Sequence, residues 1–293
     1  MKLKISSLIP SAALLCVVLA SCKKNEAVTS AVSSSTNSPL TKTTSMIGAM
    51  SNETDLDVAA ALVSADKVSS PSDCPVKTYN PSKDVYPNTK TIDYGSGCTD
   101  ENGVTRSGKR LITVYADEDM APAGKVVSVA TFSNYYVNGV NITGNVKISV
   151  VAPASSGNLV LRVVSNKTVT DMSGNTSSFV SVITQKQVSG GGDSLSSNDV
   201  FQVIESSYGT EVLGDSSMVV WNSKTDPSNP VMKMASCSFR SQGALMLNLK
   251  TNGVPTTEYL DYGNGDCDDQ ATLTINGVTQ AITLPFYFFD PHL

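Results

Sequence analysis

Tyr135-Tyr136-Val137-Asn138-Gly139-Val140-Asn141-Ile142 spells a strand, a two-residue turn and a second strand. Asn-Gly supplies the two left-handed residues of a type I′ turn, whose twist suits an antiparallel hairpin. The same grammar recurs at Leu273-Thr274-Ile275-Asn276-Gly277-Val278, and further Asn-Gly pairs stand at Asn102-Gly103 and Asn252-Gly253. Around them, apolar and β-branched runs at 110–115, 125–132, 146–151, 159–164 and 179–183 succeed one another with no helical period between them. Strand following strand predicts a mainly β fold, antiparallel and sandwich-like, rather than an alternating α/β one.

Working outward, a duplication organises the chain. Cys74 precedes Thr91-Ile92-Asp93-Tyr94-Gly95-Ser96-Gly97-Cys98, and Cys237 precedes Tyr259-Leu260-Asp261-Tyr262-Gly263-Asn264-Gly265-Asp266-Cys267. Each copy has a glycine ten positions after its second cysteine, Gly108 and Gly277. The expectation is two related β halves, 74–188 and 199–293, with the glycine-rich segment 189–198 as a linker between them. Three pairings of Cys74, Cys98, Cys237 and Cys267 exist in principle. The duplication favours Cys74 with Cys98 and Cys237 with Cys267, each closing a loop worth about 3 to 4 kcal/mol. A zinc site competes poorly, because there is no Cys-x-x-Cys spacing and the sole histidine is His292.

The first residues have another character. Lys2 and Lys4 precede an apolar stretch that Pro10 interrupts and that is too short for a comfortable membrane span. It closes on Leu19-Ala20-Ser21-Cys22, which resembles the lipobox of bacterial lipoproteins. Residues 1–21 are therefore expected to be a signal peptide and Cys22 the lipidated residue. Several acyl chains anchor durably where one binds marginally. Lys23 follows where many inner-membrane lipoproteins carry Asp, so the resemblance implies the outer membrane and leaves open the periplasmic or the surface face. Residues 22–50, rich in Ser, Thr and Ala, read as a flexible tether. Within 51–70, Leu56, Ala59, Ala60 and Val63 share one face of a short helix.

The paired Asp-Tyr-Gly-x-Gly segments are similar to those of a group of uncharacterised Bacteroidota lipoproteins. So are Cys98-Thr99-Asp100-Glu101-Asn102-Gly103-Val104-Thr105-Arg106-Ser107-Gly108 and Phe132-Ser133-Asn134-Tyr135-Tyr136-Val137-Asn138-Gly139. The likeness spans most of 74–284. It implies a shared β fold and a cell-envelope setting, and carries over no catalytic residue.

Composition narrows function by exclusion. Loss of Lys2 and Lys4 with the leader takes the formal charge from −5 to −7, and no basic cluster offsets it, which argues against nucleic acid and anionic lipid as partners. Gly103-Val104-Thr105-Arg106-Ser107-Gly108-Lys109 begins like a phosphate-binding loop, but Arg110 replaces the required Ser or Thr and a strand follows where a helix is needed. No Gly-x-Ser-x-Gly is present, so a hydrolase would have to rest on carboxylates such as Glu118, Glu205 or Glu258. Asp261, Asn264, Asp266, Asp268 and Asp269 gather oxygen ligands that would suit Ca²⁺, in a spacing unlike an EF-hand; otherwise no cofactor is expected. With one Trp, at 221, and 6% aromatic residues, the aromatic platforms of glycan binding are scarce, and Tyr135-Tyr136 and Phe286-Tyr287-Phe288-Phe289 read better as core or edge-strand residues. The leading expectation is a non-enzymatic envelope lipoprotein with a structural or interaction role, touching the membrane through its lipid and partnered by an envelope protein or glycan. A glycan- or ligand-binding module is the alternative, and a secreted carboxylate-dependent hydrolase the third. An outer-membrane barrel fits the many strands, but not the lipid anchor and the disulfide loops.

Overall fold

The structure is a computed structural model that describes residues 74–284 except 84, 101–102, 192–197 and 238. The expected signal peptide, Cys22, the tether, the 51–70 helix, most of the 189–198 linker and the 286–289 aromatic run lie outside the described residues. What is described is mainly β, as the turn grammar demanded. Fifteen strands follow in order: β1 (Val76–Asn80), β2 (Asn88–Asp93), β3 (Cys98–Thr99), β4 (Thr105–Val114), β5 (Val126–Val137), β6 (Val140–Ala152), β7 (Val160–Thr170), β8 (Thr176–Ser189), β9 (Val200–Val212), β10 (Met218–Thr225), β11 (Val231–Met234), β12 (Gln242–Thr251), β13 (Val254–Asn264), β14 (Gln270–Ile275) and β15 (Val278–Thr283). One 3₁₀ turn, Ala154–Ser156, interrupts them.

All fifteen belong to one antiparallel sheet in which nearly every strand lies beside its sequence neighbour. β3 adds to β4, while β10 and β11 share a single position between β9 and β12: β10 pairs with residues 206–212 of β9 and β11 with residues 200–203. The sheet runs unbroken from β8 to β9, across the 189–198 segment. Among the described residues β1 pairs only with β2, and β15 only with β14.

The Asn-Gly hairpins are where the sequence put them. Asn138-Gly139 turns β5 into β6 and Asn276-Gly277 turns β14 into β15, each with both residues at positive φ. Asn252-Gly253 makes a third such turn between β12 and β13, despite Pro255 in the following strand. Gly108 and Gly277 prove not to be equivalent. Gly277 is a turn residue, whereas Gly108 sits at a bulge of β4 so close to the Asn134 carbonyl that no Cβ fits.

Burial alternates with a period of two along the long strands, so the sheet has an inner and an outer face. One inner row can be followed across eleven strands by register: Lys90, Ile112, Ala130, Val146, Ser165, Ser181, Ser207, Ser223, Leu247, Glu258 and Ile275. Its centre is four serines where its flanks are larger. In the adjacent row Gly209 lies between Phe179 and Trp221, whose ring centroids are 5.7 Å apart. A Cβ at Gly209 would stand 2.6 Å from Phe179 Cβ and 2.9 Å from the indole. Small residues on the central strands thus leave room for bulky neighbours, and thirty-one buried apolar residues join in one core.

Candidate functional site

The two Asp-Tyr-Gly turns are built alike. Asp93 Oδ1 accepts the Gly95 N–H at 2.9 Å, and Asp261 Oδ1 accepts the Gly263 N–H at 2.8 Å, an Asx turn in each case. The glycine after each tyrosine has positive φ, +55° and +96°. Each tyrosine is driven inward, Tyr94 to 1% and Tyr262 to 2% exposure. Both disulfides form in the pairing that the similar cysteine segments favoured, Cys74–Cys98 and Cys237–Cys267, with Cα atoms 5.7 and 5.6 Å apart. Each bridge clamps a three-stranded meander, β1-β2-β4 in one copy and β12-β13-β14 in the other, from before its first strand to just after the turn.

An arginine stands beside each turn. Arg110 lies over the rings of Phe132 and Tyr135, 5.9 Å from each, and Tyr135 packs on Tyr94. Arg240 lies 5.6 Å from the Tyr262 ring and binds Glu205 Oε2 at 2.7 Å, with both side chains no more than 2% exposed. Ser207 Oγ donates to the other oxygen of Glu205 at 3.0 Å and sits 2.8 Å from Ser181 Oγ. A second buried pair joins Arg106 Nη1 to Asp100 Oδ2 at 2.6 Å. On the surface, Lys109 bonds Asp93 at 2.7 Å; that bond, with the Gly95 amide, holds the Asp93 carboxyl below its usual range.

The carboxylates named as hydrolase candidates do not converge in a cleft. Glu205 is committed to Arg240 and Ser207, and Glu258 is fully buried on the inner row. Glu118 is buried on the β4–β5 connection, where desolvation pushes its carboxyl up to about 7. Of the oxygen ligands grouped for Ca²⁺, Asp261 and Asp268 accept backbone amides from Gly263 and Gln270, Asp269 accepts the Gln270 side chain, and Asn264 and Asp266 face solvent. Among the described residues no three His, Cys, Asp or Glu side chains gather as metal ligands. Trp221 is buried, and of the Tyr135-Tyr136 pair the first is buried and the second 39% exposed.

A groove of about 400 Å³ lies at the opposite end of β13 from Tyr262, between Pro255, Thr257 and Tyr259 on one side and Thr274 and Asn276 on the other. Tyr259 Oη donates to Asp226 Oδ2 at 3.0 Å, and burial together with that carboxylate pushes the phenol up. Beside it runs an amide and hydroxyl ladder, Asn222–Asn248 at 3.1 Å and Asn248–Thr257 at 3.3 Å.

Sequence reading missed the Glu205–Arg240–Ser207 network and Glu211. The available signal was parity: in β9, Val203, Glu205, Ser207, Gly209 and Glu211 share a face, but Ile204, Tyr208 and Val212 make the opposite face look like the core side. No known protein family, curated protein or solved structure matches the chain.

Proposed function

We propose that the chain is an envelope lipoprotein, held at the outer membrane through Cys22, whose β body has a non-enzymatic structural or interaction role. The observation that carries this reading is the pair of disulfides, which belong to an oxidising compartment outside the cytoplasm and so agree with a leader over residues 1–21 that is removed just before Cys22. The edge strands β1 and β15, each bonded on one side only among the described residues, supply backbone groups on which a protein partner can add a strand. Within this proposal the sheet folds over its inner face as a sandwich, its two disulfide-clamped meanders descend from one duplicated unit, and the Bacteroidota envelope lipoproteins share the fold. The role calls for no cofactor; the 261–269 turn is where Ca²⁺ would be sought.

The second reading, a glycan-binding module, is favoured by the Tyr259 groove and its Asn222–Asn248–Thr257 ladder. Acyl-chain labelling in a bacterial host separates the tether from a merely exported protein. Wild type takes up labelled fatty acid and fractionates with the outer membrane, whereas Cys22→Ala does neither. Equal fractionation of the two without label refutes the anchor.

A further inference from the structure

From Ile204 onward β9 is written inside out. Ile204, Tyr208 and Val212 face outward, 52, 59 and 47% exposed, while Glu205, Ser207 and Glu211 are buried at 1 to 2%; only the start of the strand, with Val203, turns an apolar side chain to the core. The neighbouring strand β10 continues the outer apolar surface with Met218 and Val220, at 53 and 45% exposure. On the other side, Val180 and Val182 of β8 are half-buried on the same face. An exposed apolar patch at the centre of a sheet, in a strand that breaks the inside-outside pattern, marks a surface that something covers.

Charge identifies the cover. From β5 to β12 the only acidic strand residues are Glu205 and Glu211, and both face inward. On the outer face of the same strands Lys147, Arg162, Lys186, Lys224 and Lys250 are exposed, and none forms an ion pair among the described residues. Register places Lys147, Arg162 and Lys186 on a diagonal across β6, β7 and β8 at one side of the apolar centre. Lys224 and Lys250 stand at the other side, on β10 and β12. Asp226, two residues after Lys224, is engaged by Ser228 and Tyr259.

We infer that this face docks on a phosphate-bearing, anionic lipid surface, with the apolar centre at the headgroup boundary and the cations around it on the phosphates. The net charge of the chain does not oppose this, since screening over about 8 Å at physiological ionic strength leaves the membrane interacting with the face presented to it. A second copy is the poorer occupant, because an isologous pairing would set the same five cations against each other. The inference rests on the tether reading only in that a lipid at Cys22 would keep the body beside such a surface.

Lysine-reactive footprinting of the processed full-length protein on vesicles tests it. On phosphatidylcholine vesicles containing phosphatidylglycerol, at low salt, Lys147, Lys186, Lys224 and Lys250 should lose reactivity by about fivefold each, the factor expected for roughly 1 kcal/mol per cation at an anionic surface. High salt or pure phosphatidylcholine should restore it, and Lys77 at the β1 edge should be unaffected throughout. The surface variant Ile204→Ser with Tyr208→Ser should weaken the protection without unfolding the chain. Flotation at high salt reads the anchor separately. A chain that floats but leaves all four lysines reactive overturns the docking face and spares the tether. A chain that does not float at high salt, yet shows the footprint at low salt, overturns the tether and supports the face. Protection by a soluble acidic polysaccharide or acidic protein, and not by anionic vesicles, also overturns it.

Discussion

Glu211 should make the protein less stable as pH rises through neutrality. Its side chain lies on the inner face between Ser177 of β8 and Val219 of β10, 1% exposed, and its Oε2 has no hydrogen-bond partner among the described residues. Desolvation, with the nearby charge of Asp171 adding to it, raises its carboxyl from 4.5 to about 7. Below 4.5 the folded and unfolded chains both hold the proton and the group costs nothing. Between 4.5 and 7 the unfolded chain releases the proton that the folded chain keeps, so unfolding becomes progressively easier. Above 7 the whole penalty persists. At 1.36 kcal/mol per pH unit, the interval corresponds to about 3 kcal/mol, a large share of a domain's stability. Glu211→Gln keeps the shape and removes the titration. Urea unfolding of both proteins across pH 4 to 9, with the disulfides intact, should give nearly equal stabilities at the acid end. The variant should gain toward about 3 kcal/mol at the alkaline end. Glu118 titrates in the same window in both proteins and cancels in the difference. A gap between wild type and variant that does not change with pH refutes the reasoning.

Arg240→Ala should cost about 3 to 5 kcal/mol in chemical denaturation, because it strands the buried Glu205 carboxylate; the double variant Arg240→Met with Glu205→Leu should recover most of that loss, and equal losses in single and double variants would show that packing, not charge, is at stake. Replacing Cys237 and Cys267 together by Ser opens a loop of 30 residues and should lower stability by about 3 to 4 kcal/mol, read as a fall in the urea midpoint.

Much of the architecture was legible because turn chemistry is local. Asn138-Gly139 and Asn276-Gly277 fix antiparallel hairpins by backbone preference alone, and the two similar cysteine segments favoured the disulfide partners that form. The single continuous sheet was not legible, because which strand neighbours which is set by long-range pairing that no local pattern encodes. Asn252-Gly253 has less strand-like flanks, with Pro255 just after it, yet it too closes a hairpin, and Pro255 is accommodated opposite Lys250. The glycine match failed for a related reason. Equal spacing put Gly108 and Gly277 in correspondence, yet one relieves a close approach to the Asn134 carbonyl and the other closes a turn. In the 261–269 turn, Asp261 and Asp268 each direct one oxygen to a backbone amide, an arrangement that residue types alone do not reveal.

The excess of acid in the composition argues against anionic partners, but a total averages over two faces that carry different charges. In the strands from β5 to β12, parity sorts the signs: both acids turn toward the core, where one is neutralised by Arg240 and the other is held protonated up to neutrality, while all but two of the cations turn out and are exposed. The exceptions are Lys167, buried on the inner face, and Lys233, half-buried with its ammonium on the Cys237 carbonyl. Acids at the surface collect instead in the turns, as Asp171, Asp215, Asp226 and Asp268 do, each accepting the amide of the residue two positions on. A period-two chain can therefore carry a negative total and still present a positive face, and the strand that reveals this is the one whose apolar residues point the wrong way.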